Sequence, residues 1–100
     1  EKLNAAAQQR AVEIATVTSH TRPDGTSCFT VLDDFNVTDE ATGENAAWGQ
    51  VTPEEVVNDW MNSEGHRANI LNPDAHKMGF GYYSDNSSEW GRQWIQIFTE

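Results

Sequence analysis

The sequence is poor in cysteine, proline and positive charge: 100 residues carry one Cys, three Pro and six Lys or Arg. A single cysteine, Cys28, excludes a disulfide framework within the chain. Its plainest role is burial as a small hydrophobe, and many exported proteins manage without disulfides. No stretch approaches the ~18 apolar residues that a spanning helix requires, and no leader of the signal-peptide type is visible. Six cations face 16 carboxylates, giving a formal net charge of -10. Such a surface repels phosphate backbones, so nucleic acid and anionic membrane are poor partners. It suits a cationic partner, a metal ion, or simple solvation. HExxH, CxxC and GxSxG are all missing, so no local motif announces a zinc peptidase, a redox pair or a serine hydrolase. Neither repeats nor low-complexity tracts divide the chain, and its length fits one domain over 1–100.

What is present is a set of apolar positions with clear periods. Hydrophobic residues make up 37%, with four Trp and four Phe, too apolar for a disordered chain. Residues 1–18 read as a helix, with Leu3, Ala7, Ala11, Ile14 and Ala15 on one stripe and β-branched Thr16 to Thr18 weakening its end. Residues 19–28 read as a loop containing the turn Pro23-Asp24-Gly25. Residues 29–35 fit either a short helix or an extended piece, and 36–43 read as loop. Residues 52–62 carry the best helix signal: Thr52 as N-cap, Pro53 in the first turn and Glu55 completing a capping box. Val56, Val57, Trp60 and Met61 make its expected buried face. A shorter helix follows over 63–71, with Ser63 as its cap, and Asn72-Pro73 ends it. The last third reads as a β-hairpin. Met78, Phe80 and Tyr82 alternate with Gly79, Gly81 and Tyr83; residues 84–89 form the turn; Ile95 and Ile97 oppose Trp94 and Phe98 on the return. Large apolar groups on both faces of that last strand call for helices on both sides. The expected fold is α+β, a three-layer α-β-α sandwich with an antiparallel central sheet.

Three segments together resemble the bacterial branch of the CAP superfamily, the SCP-like proteins. They are Ser19-His20-Thr21-Arg22-Pro23-Asp24-Gly25 with Phe29-Thr30; Gly43-Glu44-Asn45-Ala46-Ala47 with Gly49; and Thr52-Pro53-Glu54-Glu55-Val56-Val57, Trp60-Met61-Asn62-Ser63, Gly65-His66-Arg67-Ala68-Asn69-Ile70-Leu71-Asn72-Pro73. The resemblance covers nearly the whole chain. It implies a secreted or cell-surface protein with a central cleft in which His20, Glu44 and His66 meet and would hold zinc or another divalent metal. It also implies a first helix upstream of Glu1 that this sequence lacks. Such a loss would leave one sheet face under-covered and favour a homodimer. Ser63 stands where the family's second cleft carboxylate is expected, Glu64 where Pro is frequent, and Ala46 in place of a larger aliphatic residue.

Two histidines and one carboxylate are the minimum donor set for an open zinc site. The competing plain reading is a hydrogen-bonded network in which Glu44 orients a histidine. In a catalytic reading, Glu44 and His66 would activate a metal-bound water. Trp48, Ser63, Arg67 and Asn69 are candidates to line a ligand groove, although Ser63 also serves as a cap and Arg67 would bridge to Glu64. A salt bridge between Arg10 and Glu13 is expected, and Arg22 would pair with an acidic neighbour. Trp60, Trp90 and Trp94 are core candidates. Asn36-Val37-Thr38 and Asn86-Ser87-Ser88 match the glycosylation sequon without meaning in a bacterial protein. The expectation is an extracellular binding module for a peptide, glycan or lipid-like ligand, with a metal-dependent hydrolase of peptides or cell-wall material as the alternative.

Overall fold

A computed structural model describes residues 2–84 and 91–100; Trp90, the 86–88 sequon and most of the expected 84–89 turn fall outside them. The order of elements is α1 (Lys2–Ile14), a 3-10 turn (Cys28–Thr30) running into α2 (Val31–Asp34), β1 (Ala41–Trp48), α3 (Pro53–Met61), α4 (Glu64–Leu71), β2 (Lys77–Ser84) and β3 (Arg92–Thr99). The strands form one antiparallel sheet in the order β1-β3-β2. The fold is the expected α+β sandwich, with the three-stranded sheet between two helical layers.

Strand β3 lies at the centre and is buried on both faces. Ile95 and Ile97 pack with Ala6, Ala7, Ala11 and Ile14 of α1 and with Val31 and Leu32 of α2. On the opposite face Trp94 packs with Trp60 and Val56 of α3, with Ile70 of α4 beside them. Both faces are thus covered by helices among the described residues, which corrects the expectation of an under-covered face. Helix α1 supplies the layer that such a face would have lacked.

The close seat of α1 is made by glycine. Gly79 and Gly81 of β2 pair with Ile97 and Ile95, so they lie on the α1 side of the pleat. A Cβ at Gly79 would collide with the Leu3 carbonyl, and one at Gly81 with the Ala7 carbonyl. The helix meets them at Leu3 and Ala7, backbone against backbone. The outer edge of β2 is covered from the same helix: the Phe80 and Tyr82 amides donate to Asn4 Oδ1 and Gln8 Oε1, both at 3.0 Å. On the other edge strand, the Ala46 and Glu44 carbonyls accept from Trp60 Nε1 at 3.2 Å and Asn69 Nδ2 at 3.4 Å. Unpaired strand edges invite association with other chains, and here both are partly capped.

Helix α3 starts as its sequence dictates. Thr52 is extended and accepts from the Glu55 amide at 3.1 Å, with Pro53 in the first turn. Glu55 reaches back to the Val51 amide at 2.8 Å, one residue earlier than a standard capping box. Val56 and Trp60 are buried as expected, whereas Val57 stays exposed. Ser63 holds the N-cap position of α4 but makes no side-chain cap bond.

The main departure from expectation is β1. Residues 36–43 read as loop, and no strand is expected over 44–48, because Gly, Glu, Asn and Ala are weak strand formers. Residues 41–48 form an eight-residue strand because pairing with β3 decides the matter, and the register slips between Ala41 and Gly43. Residues 29–35, open between two readings, are helical as far as Asp34.

Candidate functional site

The site is assembled at the β1 edge from three separate parts of the chain. Glu44 points from β1 toward the α1 side, sharing a face with Ile97. Its carboxylate is buried, with 1% exposure, and is held from two directions. Arg10 of α1 grips it with two nitrogens, Nε to Oε2 at 2.8 Å and Nη2 to Oε1 at 3.1 Å. His20 Nδ1 lies 2.7 Å from Oε1.

Arg10 is itself fully buried and turns its remaining donors to Glu13 Oε1 at 3.0 Å and the Ser19 carbonyl at 2.8 Å. Glu13 in turn binds Arg22 at 2.7 Å, and Arg22 reaches Asp34 at 2.9 Å. The expected Arg10–Glu13 and Arg22–acid pairs are both present as parts of this chain of charges. Burial pushes the Glu44 carboxyl up, but the bonds from His20 and Arg10 outweigh it and hold it below the usual carboxylate range. Burial likewise opposes the Glu13 charge and is outweighed by Arg22, Gln9 and Arg10.

His20 is placed by a closed loop. Gly25 takes a φ of +90° in the Pro23-Asp24-Gly25 turn, and Asp24 Oδ1 accepts from the Thr26 amide and hydroxyl. A bridge between Thr21 and Ser27 closes the neck, and the Cys28 amide donates to the His20 carbonyl at 2.9 Å. The imidazole is 60% exposed at its outer side. Contact with Cys28, then with Glu44, pushes its pKa up to about 10.

His66 approaches from the other helical layer, on α4. Its carbonyl accepts from Asn45 Nδ2 at 3.1 Å, and Asn45 also bonds Gln96 and Asn69. This buried amide network sets the α4 backbone against β1. Partial burial, then the nearby charge of His20, pushes the His66 pKa down. A cleft of about 140 Å³ lies between the two layers, lined by Thr18, Ser19, His20, Ala46, Trp48 and His66.

His20, Trp48 and His66 therefore share the cleft, and Glu44 lies behind it, touching His20. Ser63, Arg67 and Asn69 do not line it. Arg67 lines a separate depression of about 480 Å³ with Met61, Asn62, Glu64, Ala68 and Leu71. No ion pair joins Arg67 to Glu64 among the described residues, so the expected bridge is absent; both side chains are exposed on α4. Asn69 acts inward, and its Oδ1 would stand 2.7 Å from a Cβ at position 43, which accounts for Gly43. Trp48 ends strand β1 and is 38% exposed.

Sequence reasoning paired Arg10 with Glu13 but missed its grip on Glu44. Its signal was a charged group inside an alanine stripe, at a position where only a buried partner makes it tolerable. Cys28 was expected to be buried and is, with 4% exposure. Its neighbours were not foreseen. Among the described residues, the donor atoms of His20, Cys28 and Glu44 lie within 4.8 Å of one another, and His66 is outside that group.

The family model described as the cysteine-rich secretory protein family, CAP, matches residues 1–98. The chain belongs to the CAP family. Among curated proteins, this CAP domain is 49% identical over 76 residues to the uncharacterized protein YkwD of Bacillus subtilis, a match covering 76% of this chain and 29% of the relative. It is 39% identical over 59 residues to the uncharacterized membrane protein YlbC of the same organism, covering 55% of this chain and 17% of that one. The chain thus spans less than a third of the curated relatives it matches. In fold, the CAP domain superposes on an extracellular SCP-domain protein of Bacillus anthracis with a TM-score of 0.85 at 24% identity, covering 100% of this chain and 32% of that one. An outer surface protein of Borrelia burgdorferi gives a TM-score of 0.82 at 23% identity over 99% of this chain and 73% of its own. No helix among the described residues is long and apolar enough to cross a membrane.

Proposed function

We propose that this CAP domain is an extracellular binding module that grips a small group of a larger peptide or glycan in the cleft between His20, Trp48 and His66. The observation that carries this reading is the cleft itself: two imidazoles and an exposed indole from three elements meet around about 140 Å³. That volume is well below the roughly 300–1,000 Å³ of a pocket for a whole drug-sized ligand. It accommodates one side chain, one end group or one hydrated ion. The described matches to an extracellular protein and an outer surface protein support placement outside the cell.

Two donors, His20 and His66, are free toward a divalent metal in the cleft, one fewer than an open zinc site takes from the protein. Glu44 has its oxygens engaged by Arg10 and His20, so it serves to orient the imidazole, the usual partner arrangement behind a metal-bound histidine. His20 and His66 would be the protein ligands, and the metal would supply Lewis acidity toward a ligand carboxylate or carbonyl. The same engagement leaves Glu44 poorly placed as a general base, which favours binding over hydrolysis.

The test is an NMR titration of the amide and imidazole signals with Zn2+ and, separately, with a soluble cell-wall glycopeptide. Shifts should centre on His20, Ala46, Trp48 and His66, and Trp48→Ala should weaken glycopeptide binding by about tenfold, the equivalent of ~1.4 kcal/mol. Shifts centred elsewhere, or equal affinity in Trp48→Ala, would rule the reading out. Glycopeptide cleavage abolished by Glu44→Gln would replace it with the hydrolase.

A further inference from the structure

We infer that Cys28 and His20 form a binding site for a soft, monovalent metal ion of the Cu(I) class, lying behind the open cleft and independent of His66. The thiol and the imidazole are brought together by backbone: the Cys28 amide bonds the His20 carbonyl at 2.9 Å, and the Thr21–Ser27 bridge closes the loop between them. Their donor atoms, with those of Glu44, lie within 4.8 Å of one another. Zinc-type bonds of about 2.3 Å to sulfur and 2.0–2.1 Å to nitrogen let one ion span donors roughly 4.4 Å apart. The spacing therefore needs little adjustment to become coordination.

Coordination number and softness select the ion. Glu44 is already held by Arg10 and His20, so only the thiol and one imidazole nitrogen are free to ligate. Zinc takes three or four protein ligands, whereas a monovalent d10 ion is satisfied by two. Thiolate ligation also favours Cu(I) over harder ions. Glu44 needs no direct bond to the metal. Bidentate pairing with Arg10 keeps its carboxylate in place, and its bond to His20 Nδ1 holds the ring. Cys28 is 4% exposed, and the exposed His20 ring forms the outer wall through which an ion enters. On binding, the thiol proton and one imidazolium proton of His20 are released to solvent, and a sulfur–metal and a nitrogen–metal bond form with no change of oxidation state.

The site shares His20 with the proposed cleft but not His66, and that difference makes the two readings separable. The experiment is competition for Cu(I) against a chromophoric chelator under reducing, anaerobic conditions, using the whole chain. One equivalent should bind. Cys28→Ser should weaken binding by about 100-fold or more and His20→Ala by at least about tenfold, since lost support around a ligand alone costs roughly 10–100-fold. His66→Ala should bind as the wild type does. X-ray absorption of the wild-type Cu(I) complex should show one sulfur and at least one nitrogen, a readout independent of how well the variants fold. Wild-type affinity in Cys28→Ser, or a nitrogen-only first shell, overturns the inference. So does a loss in His66→Ala equal to that in His20→Ala, an outcome that would place the ion in the open cleft and leave the binding-module reading standing.

Discussion

The two helical layers are fastened to the same sheet by different physics. On one face, α1 meets β2 backbone to backbone through Gly79 and Gly81, and a buried chain of charges runs from Glu44 through Arg10 and Glu13 to Arg22. On the other, α3 meets the sheet through Trp60, Phe80 and Trp94, whose rings contact edge to face at 6.0–6.2 Å. An uncharged amide network of Asn45, Gln96 and Asn69 completes that face. The charged layer tolerates no spare volume and no missing partner. The aromatic layer loses stability in proportion to the area removed. The cleft lies where the two layers meet, so it has one rigidly held imidazole, tied to the charges, and one carried on the backbone of α4.

The strongest way to break this contrast is Arg10→Ala. It leaves Glu44 buried and unpaired, and we expect a loss of about 3–5 kcal/mol by chemical denaturation, a large share of the ~5–15 kcal/mol that small domains possess. The double variant Arg10→Met, Glu44→Leu should recover much of that loss, because the unpaired charge is gone. No recovery would show that shape rather than charge holds this layer.

Next in size is Gly81→Ala, in which the added methyl meets the Ala7 carbonyl. Overpacking of this kind costs roughly 1–3 kcal/mol. An unchanged denaturation midpoint would mean that α1 moves freely on the sheet.

The smallest expected effect is a pH slope confined to the charged layer. Glu44 and Glu13 are held below the usual carboxylate value of 4.5, so their contribution is present above that pH and is lost as the solution falls below it. His20, raised from 6.5 to about 10, contributes fully below pH 6.5 and loses its share as the pH rises through 10. Its exposure keeps that share small. Thermal midpoints should therefore fall at both ends of the range, and Glu44→Gln should flatten the acid side. An acid limb as steep in Glu44→Gln as in the wild type would assign the pH dependence elsewhere.

Much of this architecture was legible in the sequence, and the failures have physical reasons. Helix α3 was visible because Thr52, Pro53 and Glu55 act locally, within one turn. The burial of β3 on both faces was visible because its apolar groups alternate without a polar side. Strand β1 was hidden because its residues have no local preference for extension, and only pairing with β3 supplies it. That His20 shares a cleft with His66 and touches Glu44 was expected from family resemblance, since no local spacing marks it. The burial of Arg10 and its pairing with Glu44 were passed over because a buried guanidinium makes sense only once its acceptors on Glu44 and Ser19 are in view. Arg67 was misplaced for the opposite reason: next to His66 in sequence, it points about a quarter-turn away on α4.

The bonds from Asn4 and Gln8 to Phe80 and Tyr82 set a limit on α1. Four helical residues advance about 6 Å, while two strand residues advance about 6.6–6.8 Å. The two repeats are nearly commensurate but drift apart at every rung. Such a ladder works as a vernier that locks a helix of three or four turns at one longitudinal setting, and it loses its grip on anything longer. Sliding α1 along β2 by a single strand residue would break both rungs together, and sliding it by two would bring its backbone to Lys77 or Tyr83, the next residues on the face of the two glycines.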